Sequence, residues 1–387
     1  MRLALVFSLL ASTATAQTCG GPVDAFINEI KAEAQATGIP AATADQFFRG
    51  AQIDQSVIRA DRSQGVFQKD FVSFSRALIS QNRIDNGQIY GQRYDSTFDI
   101  IEQRFGIPRG VLLAFWAFET DYGQVQGNFN TRNALLTLAH DCRRPELFRP
   151  QLIAAIELFR RGGMDPASTT GAWAGEIGQL QKLPREIVLQ GLDGDGDGVV
   201  NLKNSSPDAL MTGANVLSSL GWRPNEPWLQ EVVLPSDLDW SQTGLNHKNS
   251  VRNWAAQGVT ARQGSLGSAN LQASILLPMG RNGPAFIAYP NFEVYFDWNK
   301  SFVYVTTAAY FATRLGGASV YDAGNPTAPL SGQQMQQLQQ KLTARGHDVG
   351  GIDGILGAMT RAAVQAEQVR LGMPADAWPT LDLLNRL

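Results

Sequence analysis

One carboxylate in this chain stands at the end of a long apolar run. Glu119 follows residues 111–118, which are all apolar and long enough for two helical turns. A carboxyl at such a position is expected to be partly buried, and burial disfavours its charged form and raises its pKa. A general acid that works near neutral pH needs a raised pKa, so Glu119 is the candidate acid. An exposed glutamate at a helix end is the alternative that this segment leaves open.

A second group of carboxylates alternates with glycine. Asp193, Asp195 and Asp197 occupy positions 1, 3 and 5 of a loop in which Val199 offers its carbonyl at position 7. Hard oxygen ligands in this pattern suit calcium. At position 12, where such loops usually carry glutamate, the chain has Asn204. Three interpretations stay open: a structural calcium site, a sodium site and an empty solvated turn.

The chain contains two cysteines, Cys19 and Cys142. In an exported protein an even count favours a disulfide, and two unpaired buried thiols are the alternative. The three histidines lie far apart in the sequence and show no ligand spacing, which argues against a transition-metal site.

The elements that must position these groups are predicted to be mainly helical. Residues 25–161 read as successive amphipathic helices, with clear helical spacing at 98–105 and 152–159. Glycine and proline become frequent between residues 162 and 290, which predicts loops and short strands. Residues 291–296 alternate like a strand, and residues 303–315 form another helical pattern. We therefore expect a mainly α (α+β) fold.

The ends of the chain differ from this body. Arg2, an apolar stretch at 3–10 and small residues at 14–16 predict a signal peptide over residues 1–16, and hence export to the periplasm. Cys19 suggests lipid anchoring as an alternative, but the residues before it lack the pattern that lipoprotein processing usually requires. No later apolar stretch is long enough to span a bilayer, so we expect a soluble protein.

The polar residues 322–329, which include Gly324, Asn325 and Pro326, predict a linker between residues 17–321 and a small helical bundle at 330–387. The formal net charge of −3 provides no global attraction to nucleic acid, so we expect no nucleic-acid partner.

Several motifs occur in the order found in the lytic murein transglycosylase B family, which the chain resembles over about residues 22–318. The matching segments are 116–123, 133–139, 143–144, 173–178, 193–198, 221–222 and 298–301, with Gln181, Pro184 and Tyr304. The resemblance implies a lysozyme-like helical catalytic domain with a loop-rich, short-strand insertion. It also implies a monomer that cleaves peptidoglycan without a cofactor.

In that family the glutamate at the place of Glu119 is the sole catalytic carboxylate. It protonates the bond between N-acetylmuramic acid and N-acetylglucosamine, then accepts the proton of the muramoyl C6 hydroxyl, which closes onto C1. Because the nucleophile is intramolecular, no second carboxylate need activate water. The product carries a 1,6-anhydro end.

The same resemblance implies substrate contacts by Gln181, Trp298, Asn299 and Tyr304, and we add Tyr122 from the catalytic motif. Core packing is the alternative for Trp298 and Tyr304. The sequence departs from the family pattern at Trp298, where tyrosine is usual, at Ala172, where serine is common, and across residues 179–186. The family's longer aspartate loop closes with a later aspartate, and the resemblance implies that Asp208 holds this place as a further metal ligand.

Residues 330–387 resemble the peptidoglycan-binding type 1 module, through segments 338–342, 352–357 and 360–364. The usual second aspartate-glycine turn is replaced by residues 375–379. We expect the module to act as a tethered anchor, with a bare structural cap as the alternative. Two rival functions for the whole chain remain: a hydrolytic muramidase, and a catalytically inactive scaffold that binds the cell wall.

Overall fold

A computed structural model describes residues 19–63 and 69–387, so the predicted signal peptide lies outside the described residues. No helix of these two ranges is long and apolar enough to cross a membrane. The chain divides into two compact units. The first contains the described residues up to Arg62, with Asn128–Glu176 and Leu183–Val188, and the second contains Ser63–Gly127, Ile177–Lys182 and Leu189–Leu387.

The described residues are mainly helical, as the sequence predicts. The helices are α1 (Val23–Ala36), α2 (Ala41–Phe47), α3 (Gln55–Arg62), α4 (Phe71–Leu78), α5 (Gln81–Arg93), α6 (Asp95–Phe105), α7 (Arg109–Thr120), α8 (Thr131–His140), α9 (Pro145–Arg160), α10 (Pro184–Gln190), α11 (Ser206–Ser219), α12 (Val251–Ala256), α13 (Asn291–Trp298), α14 (Phe302–Leu315), α15 (Gly332–Ala344), α16 (Ala358–Arg370) and α17 (Leu381–Arg386). The strands are β1 (Phe129–Asn130), β2 (Thr170–Gly171), β3 (Leu229–Val233), β4 (Asn249–Ser250), β5 (Thr260–Ala261), β6 (Gln272–Leu276) and β7 (Phe286–Ala288).

The first unit packs α1, α2, α3, α8 and α9 around buried side chains such as Phe26, Phe47 and Leu135. The predicted disulfide between Cys19 and Cys142 is confirmed, with a Cα–Cα distance of 5.3 Å. It joins the start of the described chain to the residues that follow α8. Because its sulfur is bonded to Cys142, Cys19 is not available in this state to carry a lipid anchor.

The second unit surrounds α7 with other helices and adds an antiparallel sheet of strand order β4-β6-β7-β3-β5. This sheet contains the short strands expected between residues 162 and 290. The strand expected over 291–296 is wrong, because these residues lie in α13. Phe292 and Tyr295, three residues apart, are both buried, so the apolar spacing serves one helical face.

The three helices α15, α16 and α17 form the expected small bundle around Leu338, Leu342, Val364 and Leu383. We call residues 330–387 the C-terminal module. The module belongs to the same compact unit as residues 189–321.

Candidate functional site

Helix α7 delivers Glu119 on its last turn. All residues from Gly110 to Ala117 are buried, which explains why this helix is apolar around its whole circumference. The helix ends where Asp121 enters the left-handed region with φ of 51°, and Tyr122 and Gly123 follow with φ of 60° and 85°. Glu119 itself is partly buried, as its position after the apolar run predicts.

Thr120 fixes the turn that follows Glu119. Its hydroxyl donates to the Gln179 carbonyl at 2.6 Å and accepts the Gly123 N–H at 2.9 Å. The φ of 85° at Gly123 favours glycine, and a Cβ atom there would also lie 2.8 Å from Oε1 of Gln179. These contacts therefore fix the backbone directly after the candidate acid.

Two neutral donors converge on one oxygen of Glu119. Trp298 Nε1 donates to Oε1 at 3.1 Å, and the Tyr304 hydroxyl donates to the same Oε1 at 2.6 Å. Burial, assisted by the Glu119 carboxylate, raises the pKa of Tyr304 well above its ordinary value, so its hydroxyl stays a donor. Because Oε1 accepts both bonds, the transferable proton of the acid form belongs on Oε2.

Aromatic packing holds these two donors in place. The Trp298 ring stacks on Phe115 of α7 with centroids 4.2 Å apart, and the Lys182 ammonium lies 3.2 Å from the Trp298 ring centroid. Tyr304 lies in the first turn of α14, which Ser301 caps, and its ring packs against Phe118 in a T-shaped arrangement with centroids 5.9 Å apart. Neighbours of Glu119 on α7 thus pack against both rings that bind its carboxylate.

The other predicted substrate contacts lie in different environments. Asn299, directly after Trp298, is partly buried, and its Oδ1 accepts the Ser301 N–H at 2.9 Å. Gln181 is partly buried, and its amide donates to the Gly178 carbonyl at 2.8 Å. Tyr122 is only 3% exposed and its hydroxyl donates to the Arg83 carbonyl at 2.7 Å. The Tyr122 ring is therefore packed in the core, and the substrate contact expected for it stays a prediction.

Asp121 is the carboxylate nearest to Glu119 in sequence, and an arginine pairs with it. Its Oδ1 pairs with Arg83 Nε at 3.0 Å. Sequence reasoning missed Arg83, Thr120 and Lys182 as parts of the site. Only Thr120 carried a local signal, since it is adjacent to the acid.

The aspartate loop gathers carboxylates as its spacing predicts. Ligand oxygens of Asp193, Asp195 and Asp197 lie within 4.8 Å of one another on the protein surface. The N–H groups of Gly198 and Gly196 donate to Asp193 and lower its pKa. Exposed carboxylate oxygens in one place fit a hard cation such as calcium.

Asp208 differs from the three exposed aspartates in its burial and in its hydrogen bonds. It is fully buried, and its two oxygens accept the N–H groups of Gly194 at 2.8 Å and Asn201 at 2.7 Å. Asp208 therefore ties the two ends of the loop together.

Comparisons with known proteins agree with this geometry. A model of the "Transglycosylase SLT domain" matches residues 22–313, and one of the "Putative peptidoglycan binding domain" matches residues 331–387. The chain is 28% identical over 233 residues to membrane-bound lytic murein transglycosylase B of Escherichia coli K12. That match spans 60% of this chain and 63% of the E. coli protein.

Two solved structures extend the comparison to the fold. SltB3 from Pseudomonas aeruginosa, in complex with NAG-anhNAM-pentapeptide, has a TM-score of 0.86 and 35% identity, covering 95% of this chain and 99% of that chain. Escherichia coli Slt35 in complex with calcium has a TM-score of 0.63 and 24% identity, covering 79% of this chain and 97% of that chain.

Proposed function

The chain belongs to the transglycosylase SLT domain family, and we propose from this membership and from the Glu119 site that it is a lytic transglycosylase acting on peptidoglycan in the periplasm. The observation that carries the proposal is the pair of donors, Trp298 and Tyr304, on one oxygen of Glu119. This arrangement leaves Oε2 as the oxygen that exchanges a proton with the substrate.

The reaction uses Oε2 twice. In the acid form, Oε2 gives its proton to the oxygen between C1 of N-acetylmuramic acid and C4 of N-acetylglucosamine, and the C1–O bond breaks as the C4 hydroxyl leaves. The electron-poor C1 is then attacked by the sugar's own O6, while Oε2 takes the proton from that hydroxyl. A 1,6-anhydro end results, water is not consumed, and Glu119 returns to its acid form.

The donors on Oε1 serve the carboxylate stage. Hydrogen bonds to a charged acceptor are stronger than those to a neutral one, so Trp298 and Tyr304 stabilise Glu119 most after it has lost its proton. A hydrolase would need a second carboxylate to act on water or on the sugar. Asp121 is poorly suited to that role because it is paired with Arg83.

Product analysis tests the proposal against both rivals. Purified sacculi are digested with the parent and with Glu119→Gln, and the new chain ends are identified by mass spectrometry. We expect 1,6-anhydro ends from the parent and none from the variant, because only the transferable proton has been removed. New reducing ends would identify a hydrolytic muramidase, and no new ends from the parent would identify a binding scaffold.

Further assignments concern the C-terminal module, the oligomeric state and the aspartate loop. The C-terminal module retains peptidoglycan strands near the catalytic unit, and the protein acts as a monomer without a catalytic cofactor. Asp193, Asp195 and Asp197 hold a structural calcium ion, with Val199 supplying a carbonyl and Asp208 organising the loop. Slt35, which shares the fold, is a precedent for a calcium complex.

A further inference from the structure

The C-terminal module contains a buried arginine that contacts the catalytic body. The Arg361 guanidinium, on α16, donates to the carbonyls of Leu277 at 3.3 Å and Pro278 at 2.7 Å. It also lies 4.5 Å from the ring centroid of Phe302, the first residue of α14. Burial lowers the pKa of Arg361 to about 9, while Asp376 acts in the opposite direction. The side chain is therefore still charged at neutral pH, and carbonyls and an aromatic face stabilise that charge.

The segment that departs from the usual module pattern lies at the same contact. Asp376 Oδ2 accepts the backbone N–H of Arg281 at 3.0 Å and its guanidinium at 3.2 Å. A Cβ atom on Gly280 would lie 2.7 Å from Cβ of Trp378, so the Gly280 backbone packs directly against the Trp378 side chain. Residues 375–379 thus replace a turn of the family pattern with a contact surface.

Polar contacts extend along the junction on both sides. Gln365 donates to the carbonyls of Trp240 at 3.1 Å and Thr243 at 2.8 Å. The predicted linker is also held: the Asn325 N–H donates to the Asn282 carbonyl at 2.8 Å, and Trp378 Nε1 donates to the Thr327 carbonyl at 3.0 Å. These bonds would be lost if the module moved freely on a tether.

We propose that the C-terminal module is a fixed part of the catalytic unit, latched by Arg361 and Asp376, and that Arg361 is a positioning residue for the reaction. Arg361 holds Phe302 at the start of α14. Tyr304 follows two residues later and donates to Glu119. The role of Arg361 in turnover rests on the proposed function, whereas the latch itself can be tested without it.

This proposal replaces the tether expected from the composition of residues 322–329. A tethered anchor could be removed with little effect on short substrates. Loss of the latched module would instead uncover Phe302 and leave the Leu277 and Pro278 carbonyls without their buried donor. The first turn of α14 would then lose a support that fixes the direction of the Tyr304 side chain.

The test uses the full chain and a short, peptide-free glycan of alternating N-acetylglucosamine and N-acetylmuramic acid. Arg361→Met keeps most of the side-chain volume and removes the donors and the charge. We expect kcat to fall about tenfold with KM changed less than about twofold, because the acid is mispositioned while glycan binding remains. Arg361→Lys should recover most of the loss. Arg386→Ala, whose exposed side chain pairs with Asp382 inside the module, is the matched control and should keep the parent values.

Limited proteolysis within residues 322–329 reports docking independently of activity. Arg281→Asp places a negative charge next to Asp376 and so weakens the latch from the catalytic body. Because the Arg281 side chain is 38% exposed, we expect this variant to fold, and it remains informative if Arg361→Met does not fold. We expect faster cleavage of this segment in both variants than in the parent. Parent-like cleavage in a folded Arg361→Met would overturn the latch. Faster cleavage with unchanged kcat would overturn the positioning role. A parent that makes no anhydro ends would refute the proposed function and leave the proteolysis result standing.

Discussion

The Tyr304 hydroxyl donates a 2.6 Å hydrogen bond to Oε1 of Glu119, across 185 residues of sequence. The two residues belong to different helices, α14 and α7, whose packing sets the distance between them. Trp298 Nε1 binds the same oxygen. Oε1 of Glu119 is therefore hydrogen-bonded to other protein groups, and Oε2 is left to exchange a proton with the substrate.

Replacing Tyr304 by phenylalanine should slow turnover more than it weakens binding. A hydrogen bond to a charged group is worth about 1.5–3 kcal/mol, which corresponds to a loss of roughly 10- to 150-fold in kcat. Steady-state kinetics on a soluble glycan would measure the change. A parent-like kcat would show that the bond does not support the carboxylate stage.

Replacing Thr120 by valine should destabilise the turn after Glu119. The Gln179 carbonyl and the Gly123 N–H would both lose a buried partner, at a cost of about 1–3 kcal/mol. Thr120→Ser keeps the hydroxyl and is the matched control. Urea unfolding of the three proteins measures the difference, and equal midpoints for parent and valine variant would contradict the role of this hydroxyl.

Calcium should raise the melting temperature of the chelated protein, because an ion that binds only the folded state stabilises it. Asp195→Ala should reduce this shift. Asp348→Ala is the control, since Asp348 also accepts a loop glycine N–H, from Gly350 at 2.9 Å, but lies outside the cluster. If Asp195→Ala retained the full shift, the aspartate loop would not be the calcium site.

Alkaline pH should destabilise the fold. Burial raises the pKa of Tyr295 and Tyr304 well above the ordinary tyrosine value of about 10. Above about pH 10 the unfolded chain releases these protons while the folded chain keeps them, so the free energy of unfolding falls as pH rises. Tyr295→Phe removes one such group and should make the decline shallower in urea unfolding between pH 8 and 11. An unchanged slope in that variant would show that Tyr295 does not contribute.

Local sequence determined the candidate acid and the carboxylate loop. The apolar run at 111–118 predicted a helix that ends at a partly buried Glu119, and α7 is that helix. The spacing of Asp193, Asp195 and Asp197 brings their oxygens together because neighbouring residues in a tight loop cannot separate far. The family resemblance then supplied the fold, the type of reaction and the residues expected to touch the glycan.

The spacing of apolar residues gave a wrong prediction where one pattern fits both a strand and a helix. The alternation at 291–296 suggested a strand, but Phe292 and Tyr295 are also one helical face, and packing in the second unit selected the helix. Tyr122 belongs to the catalytic motif in the sequence, and its ring lies in the core after the positive φ angles of Asp121 and Tyr122, which the motif did not indicate.

Tertiary structure alone decided which groups meet Glu119. Trp298 and Tyr304 lie 179 and 185 residues from it, and their convergence on a single oxygen depends on how α13 and α14 pack against α7. The contact of Arg361 with Leu277, Pro278 and Phe302 is of the same kind. Composition identified a polar segment at 322–329 but could not specify whether this segment contacts the rest of the protein. That depends on hydrogen bonds and buried surfaces between distant segments, which no local pattern in the sequence encodes.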